Sequence, residues 1–494
     1  MRRTVVLFLA VAAATAASLP ESIDRVLGLS PAARTAFWGM QVVDLASGKT
    51  LYELNPDHFF VPASNTKLFT TALALSRLGP AHTFQTRVLA TAPPDAQGRI
   101  DGPLRLLGGG DPNLSARAIP YRMGPTTGNP LAAIEELADQ IAALGVRRVR
   151  GDIVGDDTWY VWQPYAAGWG IEDPESDDGP PISALTINDN VFTLSVRPGA
   201  REGDPGVLKL DPPIEFYRID NRARTVLLPT ERGVRYSRIP GSLDIHLWGD
   251  VPLRGRTPDF LMSIEDPARY AALALRVALE NRGIVVDGAA TSEHAYPSEI
   301  PDLLQGAAAE PPAGFELARL VSAPLIEDLR VTDKVSQNLH AELALRAVAR
   351  ARRNVGSFEA GFEELKAFLG EAGIAPESYN FRDGSGLARL NLVTPAAVVK
   401  LLRYMYGGAH RDEWLSLLPI GGRDGSLSNR FGDTPAAGRV YAKTGSLSHV
   451  SALSGYIRRN DGNWVAFSIL VNNYNSQTPE VRGVMDRICN LIVE

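Results

Sequence analysis

The stretch "PASNTKLFTTALALSRLGP", residues 62–80, predicts a helix that begins beside a serine. The apolar residues Leu68, Ala72 and Leu75 recur at offsets of four and three, which is the spacing of one buried helix face. A glycine and a proline at the end of the stretch stop the helix. The pattern therefore predicts a helix that packs one face on a core.

Ser64 and Lys67 stand one turn apart at the start of this helix, so their side chains point the same way. A hydroxyl and an amine placed in this manner can act as a nucleophile and its general base. They can equally be a helix cap followed by a solvated lysine. The pair alone leaves both interpretations open, and the rest of the chain has to decide between them.

The composition describes an ordinary globular protein. With 494 residues the chain is too long for one typical core, so we expect two or three domains. Hydrophobic residues make up 45% of the chain and charged residues 21%, the proportions of a soluble protein. The formal net charge of −6 shows no excess of the positive charge that nucleic-acid binding requires, so we expect no nucleic-acid partner.

The N-terminus, "MRRTVVLFLAVAAATAASLP", has the pattern of a secretory signal peptide. Two arginines precede an apolar run and small residues that end in an A-x-A site, so residues 1–17 are predicted to be removed. The apolar run is too short to span a bilayer, and we expect no transmembrane anchor. These features predict a secreted or periplasmic protein. Its single cysteine, Cys489, excludes an internal disulfide and is expected to be a packed thiol.

The pattern of predicted helices and strands changes twice along the chain. Residues 18–88 and 319–494 combine helical and β-like patterns, whereas residues 89–318 contain many short β-like runs and one helical piece. This order predicts one α/β domain interrupted by a long β-rich insertion, which we expect to form two subdomains. The acidic stretch at 171–181 lacks the glutamate that closes a calcium loop, so we predict a solvated loop there.

Two short strings resemble cofactor or metal motifs, and both are incomplete. The "GKT" at 48–50 resembles the tail of a phosphate-binding loop, but the required glycine is absent five positions earlier. The "HAE" at 340–342 is not followed by the second histidine of a zinc motif. We therefore expect neither a metal nor a cofactor.

Two further motifs flank the returning helical region. "SQN" occupies 336–338 between two helical patterns, and "KTG" at 443–445 ends a β-like run before a turn. The order S-x-x-K, S-x-N, K-T-G is that of penicillin-binding proteins and β-lactamases. More than half of the chain lies between the first two motifs, far more than a compact class A β-lactamase needs.

The chain resembles the class C penicillin-binding proteins, the peptidase family S13 of D-alanyl-D-alanine carboxypeptidases and endopeptidases. Further strings support the resemblance, which covers nearly all of the mature chain: "GGGDPNL", "GDIVGDD", "SALTINDN", "DGSGLARLN" and "GGRDGSLSNRF". The resemblance implies an α/β (α+β) fold, in which a penicillin-binding/β-lactamase-like transpeptidase domain has an antiparallel sheet flanked by helices.

The chemistry of acyl transfer assigns a role to each motif. Ser64 at a helix N-terminus supplies the nucleophile, and Lys67 is the candidate base. A lysine can act as a base only when it is neutral, so burial or a neighbouring cation must lower its pKa, and Lys443 could be that cation. Ser336 and Asn338 would relay the proton to the departing D-alanine and orient Lys67. Which of Lys67 and Ser336 moves which proton stays open.

The third motif also supplies substrate contacts. Thr444 would hydrogen-bond the terminal carboxylate of the substrate. The backbone N–H groups of Ser64 and Ser446 would form the oxyanion hole. Gly445 leaves room for the substrate to lie along this strand edge.

The family also binds the side chain of the third residue of the peptide. The resemblance implies that Asp156 meets its ammonium group and that Arg389 meets its carboxylate. Asp383 and Ser385 are expected to fix a tight turn near the active site.

Three alternatives fit the sequence less well. A Ser-His-Asp hydrolase could use His340 or His449, but the chain has no G-x-S-x-G elbow, and we place the first on a helix face and the second in the cleft or at a turn. A β-lactamase needs a deacylating base that the spacing does not provide, and a catalytically silent wall-binding protein needs no intact triad of motifs. We therefore predict a serine D,D-carboxypeptidase or endopeptidase that cleaves peptidoglycan stem peptides through an acyl-serine and is acylated by β-lactams.

Overall fold

The computed structural model describes residues 18–124, 126, 128–307 and 313–494. The predicted signal peptide at 1–17 lies outside the described residues. Within these ranges no helix has both the length and the apolar character needed to cross a membrane.

The structure alternates helices and strands along the whole chain. The helices are α1 Leu19–Leu29, α2 Pro31–Arg34, α3 Thr66–Leu78, α4 Ala132–Ala143, α5 Pro267–Glu280, α6 Leu325–Lys334, α7 Asn338–Arg353, α8 Phe358–Glu371, α9 Pro395–Gly407, α10 Arg411–Leu417 and α11 Thr478–Val493. The strands are β1 Phe37–Asp44, β2 Thr50–Leu54, β3 Gln85–Ala90, β4 Arg99–Ile100, β5 Leu104–Leu107, β6 Arg148–Val149, β7 Ile153–Val161, β8 Val191–Arg197, β9 Val207–Asp211, β10 Arg218–Val226, β11 Arg235–Ser237, β12 Asp244–Pro252, β13 Asp259–Ser263, β14 Val285–Val286, β15 Ala290–Ala295, β16 Phe315–Val321, β17 Tyr379–Asn380, β18 Leu392–Val393, β19 Val440–Leu447, β20 Val450–Arg458 and β21 Trp464–Asn472.

The central sheet has five antiparallel strands in the order β19-β20-β21-β1-β2. Two of its three interior strands, β20 and β21, are buried almost throughout because helices cover both faces. One face packs on α1 and α11 and the other on α3 and α9, giving two separate apolar cores. The prediction of an antiparallel sheet flanked by helices is confirmed.

Helix α3 lies at the centre of the helical layer. The sequence predicted one buried face, but every residue from Thr66 to Leu75 is buried. The helix is surrounded because it packs between the central sheet and helices α6, α7 and α8, so its polar residues also lie inside. Gly79 ends it with a positive φ of 80°, a backbone conformation that favours glycine.

The insertion is built on a second five-stranded sheet in the order β15-β7-β5-β3-β16. Helices α4 and α5 pack on it around one apolar core, and three small three-stranded sheets complete the region. The sequence predicted one helix in this region, and α5 is a second, begun by Asp266, whose carboxylate accepts the backbone N–H of Arg269. Its apolar pattern lies in a stretch where the abundance of glycine and proline favoured strands.

The predicted domain boundaries at 88/89 and 318/319 fall inside paired strands. β3 and β16 are antiparallel neighbours, with Val88 opposite Ala318. The chain therefore leaves the catalytic region along β3 and returns to it along the neighbouring strand β16. A division that keeps this sheet whole runs before Gln85 and after Val321.

Candidate active site

Ser64 lies in a short 3₁₀ turn, Ala63–Asn65, that leads directly into α3. Ala63 has a φ of 47°, a conformation that L-residues rarely adopt, so the turn is held by its surroundings. The side-chain amide of Asn65 donates to the carbonyl of Lys443 at 3.4 Å and to the hydroxyl of Ser454 at 3.3 Å. These contacts fix the position of Ser64 against β19 and β20.

Lys67 lies one turn after Ser64 and is completely buried. Its Nζ lies 3.1 Å from the Oγ of Ser64, 2.6 Å from the Oδ1 of Asn338 and 2.7 Å from the carbonyl oxygen of Ser385. Burial lowers the pKa of Lys67 to about 8, although nearby carboxylates, first among them that of Asp383, oppose the shift. A neutral amine in contact with the serine hydroxyl is therefore accessible near neutral pH.

The S-x-N motif brings a second hydroxyl to the same cleft. Ser336 lies between α6 and α7 with a φ of 72°, so its backbone is also in the left-handed region. Its Oγ accepts a hydrogen bond from the Nζ of Lys443 at 2.7 Å, and the same amine donates to the carbonyl of Thr444 at 3.0 Å. Burial lowers the pKa of Lys443, and the charge of Lys67 lowers it further.

The K-T-G motif lies within β19, which continues two residues beyond Gly445 to Leu447 rather than ending at the motif. A β-carbon on Gly445 would lie 2.7 Å from the carbonyl oxygen of Pro62 and 3.1 Å from the backbone nitrogen of Ser64. Only glycine allows this approach. It brings the strand beside the backbone N–H of Ser64, where an oxyanion hole is expected.

Two hydroxyls meet in front of this strand. The Oγ1 of Thr444 lies 2.6 Å from the Oγ of Ser426, which comes from the loop between α10 and β19. The string "GGRDGSLSNRF", which contains Ser426, supported the family resemblance, but the sequence predicted no role for this serine. Ser446 is exposed, and its hydroxyl accepts a hydrogen bond from Arg482 at 2.6 Å.

Arg389 and Asp156, the two residues expected to bind the side chain of the third peptide residue, lie in different parts of the structure. Arg389 donates to the carbonyl of Ser448 at 3.1 Å, in the turn that follows β19. Asp156 in β7 is buried, and its carboxylate accepts hydrogen bonds from Arg105 at 2.9 Å and from the hydroxyl of Thr158 at 2.6 Å. It lines a cavity of about 630 Å³ between the insertion sheet and α7, whose lining includes none of the residues of the three motifs.

The acidic stretch at 171–181 is not simply a solvated loop. The backbone carbonyl of Asp178 accepts a hydrogen bond from the amide of Asn338 at 2.8 Å. Asp177 and Asp178 line a cavity of about 220 Å³ together with Ser336 and Asn338. The insertion therefore contributes one wall of the cleft, which the local composition did not reveal.

The "DGSGL" string forms the tight turn that was predicted. The carboxylate of Asp383 accepts the backbone N–H groups of Gly386 at 2.8 Å and Ala388 at 2.6 Å. Glu342 on α7 accepts two further backbone N–H groups of this turn, those of Gly384 and Ser385, both at 2.8 Å. The turn thus presents the Ser385 carbonyl to Lys67 in a fixed position.

His340 and His449, the two histidines considered as catalytic candidates, contact groups that hold the fold together. His340 is completely buried rather than lying on an open helix face, with Nε2 3.1 Å from Asp189 and Nδ1 2.7 Å from Asp328. His449 lies in the turn between β19 and β20, with Nδ1 2.8 Å from the carbonyl of Tyr474. Neither contacts Ser64 within the described residues. Cys489 is buried in α11, as predicted.

Known proteins of one family are similar to this chain over most of its length. The family model of the D-Ala-D-Ala carboxypeptidase 3 (S13) family matches residues 19–491. A D-alanyl-D-alanine carboxypeptidase of Actinomadura sp. (strain R39) is 34% identical over 96% of this chain and 84% of its own. The D-alanyl-D-alanine carboxypeptidase DacB of Haemophilus influenzae is 26% identical over 89% of this chain and 86% of its own. The crystal structure of penicillin binding protein 4 from H. influenzae superimposes with a TM-score of 0.79 at 23% identity, covering 95% of this chain and 98% of that one. The chain therefore belongs to the D-Ala-D-Ala carboxypeptidase 3 (S13) family.

Proposed function

We propose that this chain is a serine D,D-carboxypeptidase, with D,D-endopeptidase activity, that hydrolyses the D-Ala-D-Ala end and the D-Ala cross-links of peptidoglycan stem peptides through an acyl-Ser64 intermediate. The observation that carries the proposal is the contact of 3.1 Å between the amine of Lys67 and the hydroxyl of Ser64. The amine is buried, and its lowered pKa allows it to accept a proton near neutral pH.

In the acylation step, neutral Lys67 takes the proton of Ser64 as its oxygen attacks the carbonyl carbon of the penultimate D-alanine. Negative charge then develops on the carbonyl oxygen. The backbone N–H groups of Ser64 and Ser446 are the proposed donors to it, because Gly445 lets β19 lie beside the serine backbone.

The leaving D-alanine needs a proton on its amine. Ser336 is the proposed donor, since its hydroxyl lies in contact with Lys443, which can replace the proton that it gives up. Asn338 holds Lys67 in place through its Oδ1 while its amide is fixed by the carbonyl of Asp178. Deacylation reverses these roles: a water attacks the acyl carbon and gives its proton through Ser336 to Lys443, while Lys67 returns its proton to the oxygen of Ser64.

Recognition of the substrate is assigned to the end of β19 and its neighbours. The paired hydroxyls of Thr444 and Ser426, with Lys443 behind them, are suited to a terminal carboxylate. For the side chain of the third residue, Arg389 remains a candidate for its carboxylate. The carboxylates of Asp177 and Asp178, which line the cleft beside Ser336, replace Asp156 as candidates for its ammonium, because Asp156 is already paired with Arg105.

The proposal includes a location and a domain division. The predicted signal peptide and the proposed cell-wall substrate both support a location in the bacterial envelope, so we infer a secreted or periplasmic enzyme. We infer a catalytic domain of residues 18–84 and 322–494, interrupted by a β-rich insertion at 85–321, because this division leaves the β3–β16 pair intact.

The test uses a fluorescent penicillin followed by purified muropeptides, applied to the wild type, Ser64→Ala and the control Ser76→Ala. Ser76 lies on the same helix, where its hydroxyl contacts only the sulfur of Met405 at 3.9 Å among the described residues. We expect the wild type and the control to be labelled and to release D-alanine, and Ser64→Ala to do neither. Label without cleavage would contradict the proposal in favour of a silent binding protein, and rapid loss of label would favour a β-lactamase.

A further inference from the structure

Asp333 is a buried carboxyl group that the proposed mechanism does not use. It lies in the last turn of α6, three residues before Ser336, and none of its surface is exposed. The charges of three lysines act on it: those of Lys443 from β19, Lys67 from α3 and Lys334 from its own helix. An ionised carboxyl in this position would act on both lysines of the active site, so its charge matters to them.

The hydroxyl of Thr71 on α3 indicates which charge state Asp333 has. Its Oγ1 lies 2.7 Å from the carbonyl oxygen of Lys67 and 3.1 Å from the Oδ2 of Asp333. A hydroxyl has one proton, and a carbonyl can only accept, so the shorter contact uses the proton of Thr71. The second contact is then a full two-centre hydrogen bond only if the carboxyl group of Asp333 donates to the threonine oxygen.

The other carboxyl oxygen points to the same conclusion. The Oδ1 of Asp333 is buried and has no hydrogen-bond partner among the described residues. A carboxylate oxygen without a donor would be costly at such a site, whereas the oxygen of a neutral acid costs much less.

The lysine amines do not compensate for a charge on Asp333. The hydrogen bonds of Lys67 go to Ser64, Asn338 and Ser385, as described above. Lys443 donates to Ser336 and Thr444. The amine of Lys334 donates to the carbonyl of Leu418 at 3.0 Å and to the carboxylate of Asp424 at 2.6 Å. Within the described structure, each amine is thus engaged elsewhere.

We propose that Asp333 is a protonated, neutral carboxylic acid in the resting enzyme, donating to Thr71, and that it is a positioning residue which holds α6 against α3 without placing an anion beside Lys67 and Lys443. The role assigned to the lysines rests on the proposed function. Burial supports the inference because it raises the pKa of Asp333, against the opposing charges of Lys443 and Lys67. A neutral acid at this position leaves Lys67 free to lose its proton near neutral pH.

The first experiment reads the protonation state directly. Difference infrared spectra in D₂O of the wild type and Asp333→Asn are expected to show the loss of a protonated carboxylic acid band. The matched control is Asp424→Asn, because Asp424 accepts from Lys334 and from the backbone N–H of Ile420 at 2.9 Å. The control should lose a carboxylate band instead. Loss of a carboxylate band from Asp333→Asn at neutral pH would overturn the proposal.

The second experiment compares acylation by a fluorescent penicillin across pH in the wild type, Asp333→Asn and Asp333→Ala. Asparagine reproduces the shape, the donor and the zero charge of the protonated acid, so the acid limb of the profile should stay within about 0.3 pH unit of the wild type. Alanine removes the donor to Thr71 and leaves a cavity, so acylation should slow several-fold, and asparagine should restore it. A shift of the acid limb to lower pH in Asp333→Asn would show that an anion had been removed and would refute the proposal.

The two proposals fail in different ways. If the wild type is not labelled by the penicillin, the proposed function fails, while the infrared spectra still decide the charge state of Asp333. If the wild type is labelled but the carboxylic acid band is absent, only the inference on Asp333 fails.

Discussion

The carboxylate of Glu342 accepts the backbone N–H of Ser385 at 2.8 Å, and the carbonyl of that same serine accepts a hydrogen bond from Lys67 at 2.7 Å. Two hydrogen bonds, with Ser385 between them, therefore connect Glu342 to the proposed base, Lys67. Glu342 is completely buried, and Arg346, also buried, lies 3.7 Å from its other oxygen. The pair fixes the turn that holds Lys67 without touching the substrate.

Replacing Glu342 with alanine should loosen this turn and leave the Arg346 charge unpaired. We expect the free energy of unfolding to fall by about 3–5 kcal/mol, the usual effect of breaking a buried ion pair. In protein that still folds, kcat for release of D-alanine should fall by roughly tenfold or more with little change in KM, because a misplaced base affects the chemical step. The control Glu316→Ala removes only an exposed partner of Arg319 and should change neither quantity. A rise in KM with unchanged kcat would contradict the assignment.

Gly445→Ala should separate β19 from the nucleophile. Its β-carbon would meet the carbonyl of Pro62 at 2.7 Å, so the strand must move away from the backbone N–H of Ser64. Since removal of one oxyanion donor costs ~10²–10³ in rate, we expect acylation by penicillin to slow by about that factor. The matched change Gly483→Ala in α11 meets nothing within 4 Å and should leave the rate unaltered. Equal rates in the two variants would show that β19 does not form the oxyanion site.

The sequence was sufficient for the three motifs because each carries its chemistry in consecutive residues. The helical repeat placed Ser64 and Lys67 on one face, and the order of the three motifs with the family resemblance then favoured the catalytic interpretation and the fold. What the sequence could not supply were partners brought together by tertiary structure. The pairing of Asp156 with Arg105 depends on the neighbouring positions of β5 and β7, which no local pattern encodes.

The same reason explains two other differences. The acidic loop at 171–181 has the composition of a solvated segment, yet its backbone at Asp178 is bound by Asn338 from α7. Ser426 lies in a loop without periodicity, and only its contact of 2.6 Å with Thr444 reveals it. Backbone acceptors and single hydroxyls leave no recognisable pattern in a sequence, so such residues are found only when the fold is known.

Ser426→Ala should weaken recognition of the terminal carboxylate. The hydroxyl of Ser426 orients that of Thr444, and its loss removes one neutral hydrogen bond, which contributes about 0.5–1.5 kcal/mol. We expect KM for a D-Ala-D-Ala peptide to rise by a few-fold to about tenfold, with a smaller effect on kcat. The control Ser428→Ala lies on the same loop, where no side-chain hydrogen bond of Ser428 is found within the described structure. Steady-state kinetics of both variants test the assignment, and an equal rise in the control would refute it.

His340 should make the stability of the fold depend on pH. Burial alone would lower the pKa of His340, but the carboxylates of Asp328 and Asp189 raise it to about 9, above the ordinary value of 6.5. The contribution to stability is therefore complete below about pH 6.5 and is lost as pH rises through about 9. A difference of this size corresponds to on the order of 3 kcal/mol, so denaturant unfolding at pH 6 and pH 9.5 should differ by up to that amount in the wild type. In His340→Gln this contribution should be lost, leaving the contribution of other groups such as His294. Burial opposes a charge on His294 as well, but the carboxylates of Asp157 and Asp266 raise its pKa to about 9. The exposed His246→Gln should retain the full dependence.

The rate of acylation should itself follow the protonation of Lys67. Burial lowers the pKa of Lys67 to about 8, and the amine can accept the proton of Ser64 only in its neutral form, which dominates above that pH. We therefore expect the rate with a fluorescent penicillin to rise about tenfold per pH unit on the acid side and to level off above about pH 8. Lys67→Arg keeps a cation in the cleft but cannot lose its proton in this range, so it should abolish acylation at every pH. Asp383→Asn removes the carboxylate that most opposes the shift, and in protein that still folds it should move the acid limb to lower pH. A limb that stays in place in Asp383→Asn, or that appears unchanged in Lys67→Arg, would mean that another group takes the proton of Ser64.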